Sequence, residues 1–310
     1  MIMRITDKYI KAILLAVLTL LPALASDAQT LPSLMLGQDP VSLASGQSGV
    51  AAEAGSFAIQ NNVAAVSLSD RTLDAQVGFG LWQPSYADMK SYGAAGIFRL
   101  GKLGMALDFK MLQMPTYGSV SGNGSELRDS EFTPGEVNLA AGVSYAVMDY
   151  LSAGVSLRYA DSKLAHEASA GVFGADVAVY FRKNGISAGL SVNNLGTKVK
   201  YSETSYPQPM MAKFGAGYDL ALGSSALAFT AEADLLFAGG FMAGAGCEYS
   251  FRDMVFARAG YHYGDSVNAL ASYASAGVGL KFFGAQLNLA YLFASTVFAN
   301  SMCVSLGYTF

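Results

Sequence analysis

The sequence predicts an all-β fold: a transmembrane antiparallel β-barrel of about fourteen strands, with a small N-terminal plug or lid segment. Three observations carry this. The 310 residues are 52% hydrophobic and only 14% charged, yet no internal run approaches the ~20 apolar residues of a membrane-spanning helix. From Leu73 onward, apolar residues take every second position in segments of about 9–13 residues, the length at which a tilted strand crosses a bilayer. The last segment, Met302, Val304, Leu306, Tyr308 and Phe310, alternates to the final residue.

The stretch Phe241 to Asp265 displays the repeating module. Phe241, Ala243, Ala245, Cys247, Tyr249 and Phe251 form one face of a strand, Arg252-Asp253 makes a tight turn, and Val255, Ala257, Ala259, Tyr261 and Tyr263 continue that face. Successive side chains on a strand point to opposite sides, so the pattern is a hairpin with one apolar, aromatic face. Similar segments fall near 73–83, 92–100, 103–114, 136–148, 151–160, 172–183, 185–196, 209–220, 226–237, 241–251, 254–263, 272–283, 284–294 and 302–310. Fourteen is even, as in single-chain bacterial outer-membrane barrels. The links at 101–102, 149–150, 184, 221–225, 252–253 and 283–284 are short. They alternate with mostly longer links such as 84–91, 115–135, 161–171 and 197–208. Short periplasmic turns opposite long outer loops are expected of such a barrel.

The N-terminus predicts export. Arg4, Lys8 and Lys11 precede the apolar run Ala12 to Leu21, and small residues suit cleavage after Ala25 or Ala28;. The expected organisation is a signal peptide over 1–28, a plug or periplasmic segment over 29–72, and the barrel over 73–310. Residues 29–70 are small, polar and Ala-rich and read as loops and short helical pieces.

Parity assigns the charges. A Lys or Arg on the lipid side at mid-bilayer costs about 2–4 kcal/mol. Asp108, Lys110, Arg158, Asp176, Lys213, Glu232, Asp234, Glu248, Arg258 and Lys281 are therefore expected to face the lumen. Their mixed signs suggest an ion-paired, plugged interior more than a selective pore. Cys247 falls on the outward parity and Cys303 on the inward one, which argues against a disulfide;.

No catalytic constellation emerges. His166 and His262 lack metal-ligand spacing, and Ser119 to Ser125 is Gly-rich but follows no strand-to-helix pattern;. No enzyme activity, cofactor or metal is expected, and a net charge of −4 does not support a nucleic-acid footprint;.

Several stretches resemble the PorV/PorQ family, outer-membrane barrels of the type IX secretion system of Bacteroidetes. They are FTPGEVNLAAGVSYAVMDYLSAGVSLRYADSKL from Phe132, FGADVAVYFRKNGISAGLSVNNLGTKVKY with Asn193-Asn194-Leu195-Gly196, GCEYSFRDMVFARAGYHYGD and YASAGVGLKFFGAQLNLAYLFAS. The last two are closer to PorV. The N-terminal segment departs from the family in carrying Val63 where proline is common. The resemblance implies a FadL-like barrel that docks to the SprA-like type IX translocon and receives cargo carrying a C-terminal secretion domain. The terminal Phe310 resembles the signal read by the barrel assembly machinery, which would insert the chain among outer-membrane lipid.

Under this reading the long outer loops carry recognition. Tyr117, Arg128, Glu131, Phe132, Tyr201, Tyr206 and Pro207 are the candidate contacts, because aromatics and Arg dominate interface hot spots;. The alternative is a FadL-like outer-membrane transporter of small hydrophobic molecules, with an apolar lumen pocket. Met105, Met111, Met114, Met210 and Met211 could line it, although Met105 and Met111 fall on the lipid parity;.

Overall fold

The computed structural model describes residues 31–84, 87–120, 126–165, 168–201, 203–265, 269–294 and 298–310. The signal peptide expected over 1–28, His166 and the side chain of Arg128 lie outside what it describes. The strands in chain order are β1 (Leu73–Trp82), β2 (Met89–Leu100), β3 (Leu103–Gln113), β4 (Tyr117–Val120), β5 (Glu126–Phe132), β6 (Gly135–Met148), β7 (Leu151–Ala165), β8 (Ala168–Lys183), β9 (Ile186–Gly196), β10 (Val199–Tyr201), β11 (Thr204–Tyr206), β12 (Met211–Leu222), β13 (Ser225–Leu236), β14 (Phe241–Phe251), β15 (Val255–Gly264), β16 (Tyr273–Phe282), β17 (Ala285–Phe293) and β18 (Ser301–Thr309).

Fourteen of these strands form a closed antiparallel barrel, and β4–β5 and β10–β11 are separate two-stranded hairpins. Closure runs through β18 on β1, from Asp74 opposite Thr309 to Leu81 opposite Met302. The carbonyl of Phe310 then accepts the N–H groups of Thr72 and Leu73. A closed wall leaves no edge unpaired, which is what a bilayer demands of strands.

The tight turns follow from local chemistry. Arg252 and Asp253 sit at φ 54° and 52°, and Asn184-Gly185 at 52° and 79°. Two successive positive φ values match the right-handed twist of the flanking strands. One end of the barrel carries these short turns and the other carries the longer loops.

The outer surface is apolar. Leu107, Leu157, Val177 and Leu306 stand exposed on it, and aromatic residues gather near both strand ends. Tyr145, Tyr218, Tyr249, Phe282 and Tyr308 lie towards the turn end, with Tyr92, Phe241, Tyr261, Tyr263 and Phe293 towards the loop end. Such a belt between two aromatic girdles is stable only against lipid. Cys247 is exposed on it, Cys303 is buried inside, and both are free thiols.

Three of the expected loops are built around hairpin strands. The link expected over 161–171 is mostly hairpin, because β7 and β8 reach 15 and 16 residues. Outward alternation stops at Asp161 and Lys163, whereas Ser162 still points into the barrel and is fully buried. The two other long links contain the hairpins β4–β5 and β10–β11.

Residues 31–72 lie within the lumen. The chain enters near the loop end, where the Ser33 N–H donates to Glu136 of β6 (3.1 Å), and leaves at the turn end, where Arg71 pairs with Asp74 at the start of β1 (2.5 Å). Between these points come a 3-10 turn (Pro32–Leu34), α1 (Pro40–Ala44), α2 (Ala58–Asn61) and a 3-10 helix (Val63–Leu68). Each piece is too short to hold itself, so side chains brace them. Asp39 caps α1 through the Val41 N–H. Asn62 accepts from the Ala64 N–H and donates to the carbonyls of Val50 and Val179, tying the plug to β8. Inward-facing glycines let the wall touch this backbone: a Cβ on Gly244 or Gly260 would collide with Gly46, and one on Gly189 with Val50.

Candidate functional site

The inside of the barrel carries two layers, and the first is ionic. Seven of the ten charged residues expected in the lumen are buried there: Asp108, Lys110, Asp176, Lys213, Glu232, Asp234 and Arg258. Arg158, Glu248 and Lys281 are half-buried and also point inward. Lys213 meets Glu232 at 3.3 Å and Asp234 at 3.9 Å. Arg158 meets Asp176 at 3.0 Å and also donates to Asn194. Arg258 meets Glu248 at 2.5 Å, and Lys281 meets Asp253 at 2.6 Å.

Other wall charges hold the plug. The Lys110 ammonium donates to the carbonyls of Ser33 and Leu36. Asp108 accepts from the Gln60 amide (2.8 Å) and Glu232 from the Val50 N–H (2.7 Å). Buried charges persist only when paired and hydrogen-bonded in this way. The layer therefore fixes the plug and presents no ring of like charges to select an ion.

The second layer is apolar and lies at the loop end. Following the inward parity along each strand, the side chains change character. Lys110 gives way to Leu112 on β3, Lys213 to Met211 on β12, Asp234 to Leu236 on β13, and Asn288 to Leu292 on β17. These residues pack with Trp82, Met242 and Tyr273 of the wall, Leu36 and Leu43 of the plug, and Leu270 and Phe298 of the connecting loops.

Rings give the layer its shape. His262 stacks on Tyr273 (centroids 4.9 Å apart), Tyr273 meets Phe298 edge-on (6.0 Å), and Phe298 meets Trp82 edge-on (6.0 Å). Two of the polar ring groups are satisfied, because Trp82 Nε1–H donates to Ser91 (2.8 Å) and the Tyr273 hydroxyl to Gln47 (3.2 Å), whereas His262 Nε2 is buried without a partner among the described residues. Trp82→Phe should thus cost about 1 kcal/mol, the usual net worth of one hydrogen bond, readable as a small fall in the urea midpoint. His262 contacts the Gly46 carbonyl (3.3 Å), a structural contact to the plug.

Next to this layer lies a chamber of ≈ 50 Å³, lined by the apolar Leu34, Met35, Leu36, Met211 and Met242 and by polar groups including Asp108, Lys110, Asn138, Arg158 and Lys213. A second cavity of ≈ 330 Å³ occupies the turn end, between the plug and the inner wall of β12 to β17, with Gln76 of β1, Arg182 of β8 and Ser187 of β9 also in its lining. Among the methionines singled out in the sequence, Met211 is buried in the apolar layer while Met105 faces outward. The residues that sequence reasoning missed, Trp82, Leu112, Leu236, Met242, Tyr273 and Leu292, share one signal. Each lies at inward parity near the loop end of its strand, where the partner positions lower down are polar or small.

The outer-loop candidates divide. Tyr117 is 55% exposed and Glu131 is exposed, while Phe132 is half-buried, with the Lys163 ammonium 5.4 Å above its ring. Tyr201 corrects the expectation. Its hairpin folds over β8, so Val199 and Tyr201 share the inner side and pack on Leu31, Ala160 and Val172. Tyr206 and Pro207 are half-buried. Tyr201 is thus a packing residue and offers no ring to a partner.

No protein-family model matches the sequence, and no curated protein does. Solved structures do match. The toluene transporter TodX of Pseudomonas putida superposes with a TM-score of 0.60 at 13% identity, covering 93% of this chain and 98% of TodX. A Pseudomonas aeruginosa FadL homologue gives 0.55 at 12% identity, over 89% of this chain and 99% of its own. The fold is FadL-like. The monoaromatic hydrocarbon channel CymD adds a third example, with a TM-score of 0.61 at 14% identity over 89% of this chain and 97% of CymD. Identities this low speak for the FadL-like architecture alone.

Proposed function

We propose that this protein is a FadL-like outer-membrane transporter of small hydrophobic molecules. The observation that carries the reading is the change of inward side chains from ionic to apolar at the loop end. A barrel wall otherwise filled by a plug has no structural need for an internal tryptophan, two methionines and a ladder of rings at its outer mouth. An apolar solute arriving from outside would meet this layer first. Methionine side chains are flexible and adapt to varied shapes, so Met35, Met211 and Met242 can repack to admit a guest above the ≈ 50 Å³ chamber. The loop end would then face outward and the turn end the periplasm.

The structural neighbours named as toluene and monoaromatic hydrocarbon carriers suggest the first probe. The reading also accounts for the outer surface better than a docking role in secretion does, since Tyr201 is turned inward and Tyr206 and Pro207 are half-buried.

Trp82 is the chain's single tryptophan and sits in the apolar layer, so its emission reports on that layer directly. Titration of the protein in lipid nanodiscs with toluene should shift or quench Trp82 fluorescence saturably. Met242→Phe, which stiffens and fills the layer, should weaken the apparent affinity several-fold. A native protein whose emission changes only linearly with toluene, as free indole in lipid would, rules the reading out.

A further inference from the structure

The two cavities of the lumen share a single lining residue among those described, Asn61. On one side lies the ≈ 50 Å³ chamber with Asp108, Lys110 and Lys213. On the other lies the ≈ 330 Å³ vestibule with Asp39, Ser42, Arg182, Arg258 and Lys281, which opens among the residues of the turn end. Asn61 is the last residue of α2. Its neighbour Gln60 is anchored to the wall through Asp108 and to the plug through the Gln38 N–H. Asn61, in contrast, lines both cavities, and its side chain donates to Asp39 (3.1 Å).

Two further features concern the same spot. Gly49 faces Asn61 so closely that a Cβ there would press on the Asn61 amide and on the Ser42 hydroxyl. Ser42 is only 6% exposed and belongs to the vestibule lining, and its hydroxyl has no hydrogen-bond partner among the described residues. A buried polar group without a partner costs free energy unless water reaches it.

We propose that Asn61 is a one-side-chain gate between the lumen chamber and the turn-end vestibule, passing water and small ions of either sign when it swings off Asp39. The geometry suits such a gate: the helix end is fixed at Gln60, and the barrier is one amide held by one described hydrogen bond. Both cavities are lined by polar groups and by ion pairs of both signs, so the passage favours neither cations nor anions. Swinging the amide towards Ser42 exchanges one hydrogen bond for another, so the open arrangement is reachable but remains the minor one, at roughly a tenth of the population, a gap of about 1.4 kcal/mol. The gate is a property of the plug and stands independently of the transporter reading, which concerns the apolar layer above.

The test places a reporter thiol in the chamber. Cys247 and Cys303 are first replaced by alanine, and Met211→Cys is introduced, since Met211 lines the chamber. The protein in nanodiscs is then treated with a small charged methanethiosulfonate reagent. Labelling should be slow in this background, and adding Asn61→Gly should accelerate it about tenfold, the factor that corresponds to about 1.4 kcal/mol. Asn61→Gln, which keeps an amide in the gap, should stay slow. Fast labelling before Asn61 is changed, or no acceleration in a folded Asn61→Gly protein, overturns the proposal. Folding is read from the shifted mobility of unboiled protein in detergent gels. If Asn61→Gly does not fold, Asn61→Ser serves in its place under the same criteria.

Discussion

Lys213→Ala should destabilise the barrel by about 3–5 kcal/mol, the usual result of stranding buried charges. Lys213 sits on β12 directly opposite Asp234 of β13, with Glu232 two residues along on the same inner face. The side chains of all three are less than a tenth exposed. Glu232 has a second donor in the Val50 N–H, whereas one oxygen of Asp234 is buried with no hydrogen-bond partner among the described residues. Loss of the ammonium leaves two neighbouring carboxylates on one inner face away from water, and it also loosens the point at which Glu232 holds the plug. The measurement is the urea midpoint for loss of the compact, fast-migrating form in unboiled gels. Neutralising the whole group, Lys213→Met with Glu232→Gln and Asp234→Asn, should recover most of the loss, because removing a buried ion group entirely is often close to neutral. A Lys213→Ala barrel as stable as the parent would show that water, not the lysine, solvates these carboxylates.

The barrel was legible because lipid and lumen impose opposite demands on alternate residues. Phe241 to Phe251 must face a bilayer at every odd position, and no other fold requires that for fourteen segments. The same logic explains the misread loops. Hydrophobic alternation measures the thickness of the membrane, not the length of the strand, so β7 reads as ending near residue 160 while its hydrogen bonds continue to Ala165. Inside the lumen the demand is set by the plug, which has no period of its own. Gly244 and Gly260 look like weak strand positions until Gly46 lies against them. The apolar layer was hidden for a related reason. Lys110 and Lys213 identify the inward face, but Leu112 and Met211 two residues away read as ordinary wall unless parity is followed to the strand end. Tyr201 shows the converse: an aromatic in a polar loop signals an interface, and here the interface is internal.

Gly260→Val is the second large effect expected, and its neighbour supplies the control. Gly260 of β15 faces the plug where Gly46, at φ 69°, turns the chain. A Cβ at residue 260 would overlap the Gly46 nitrogen and the Ser45 backbone. The plug cannot retreat easily. The Ser275 hydroxyl, on the strand position paired with Gly260, accepts from the Gly46 N–H (3.2 Å) and donates to the Ala44 carbonyl (3.0 Å). Overpacking a filled interior costs about 1–3 kcal/mol when side chains can shift, and here the obstacle is backbone on both sides. The strands themselves need no change, so the barrel should form while the plug around α1 loses its seat. Limited proteolysis should then cut within residues 39–57 of a barrel that still migrates as folded, and the urea midpoint should fall. Ala259→Val lies one residue along the same strand, exposed on the outer face. It should leave both readouts at parental values, because lipid yields to a larger side chain where the plug does not. Equal proteolysis of the two variants would mean that the plug does not rest on Gly260, and that the glycines of this wall serve some need other than room for the plug.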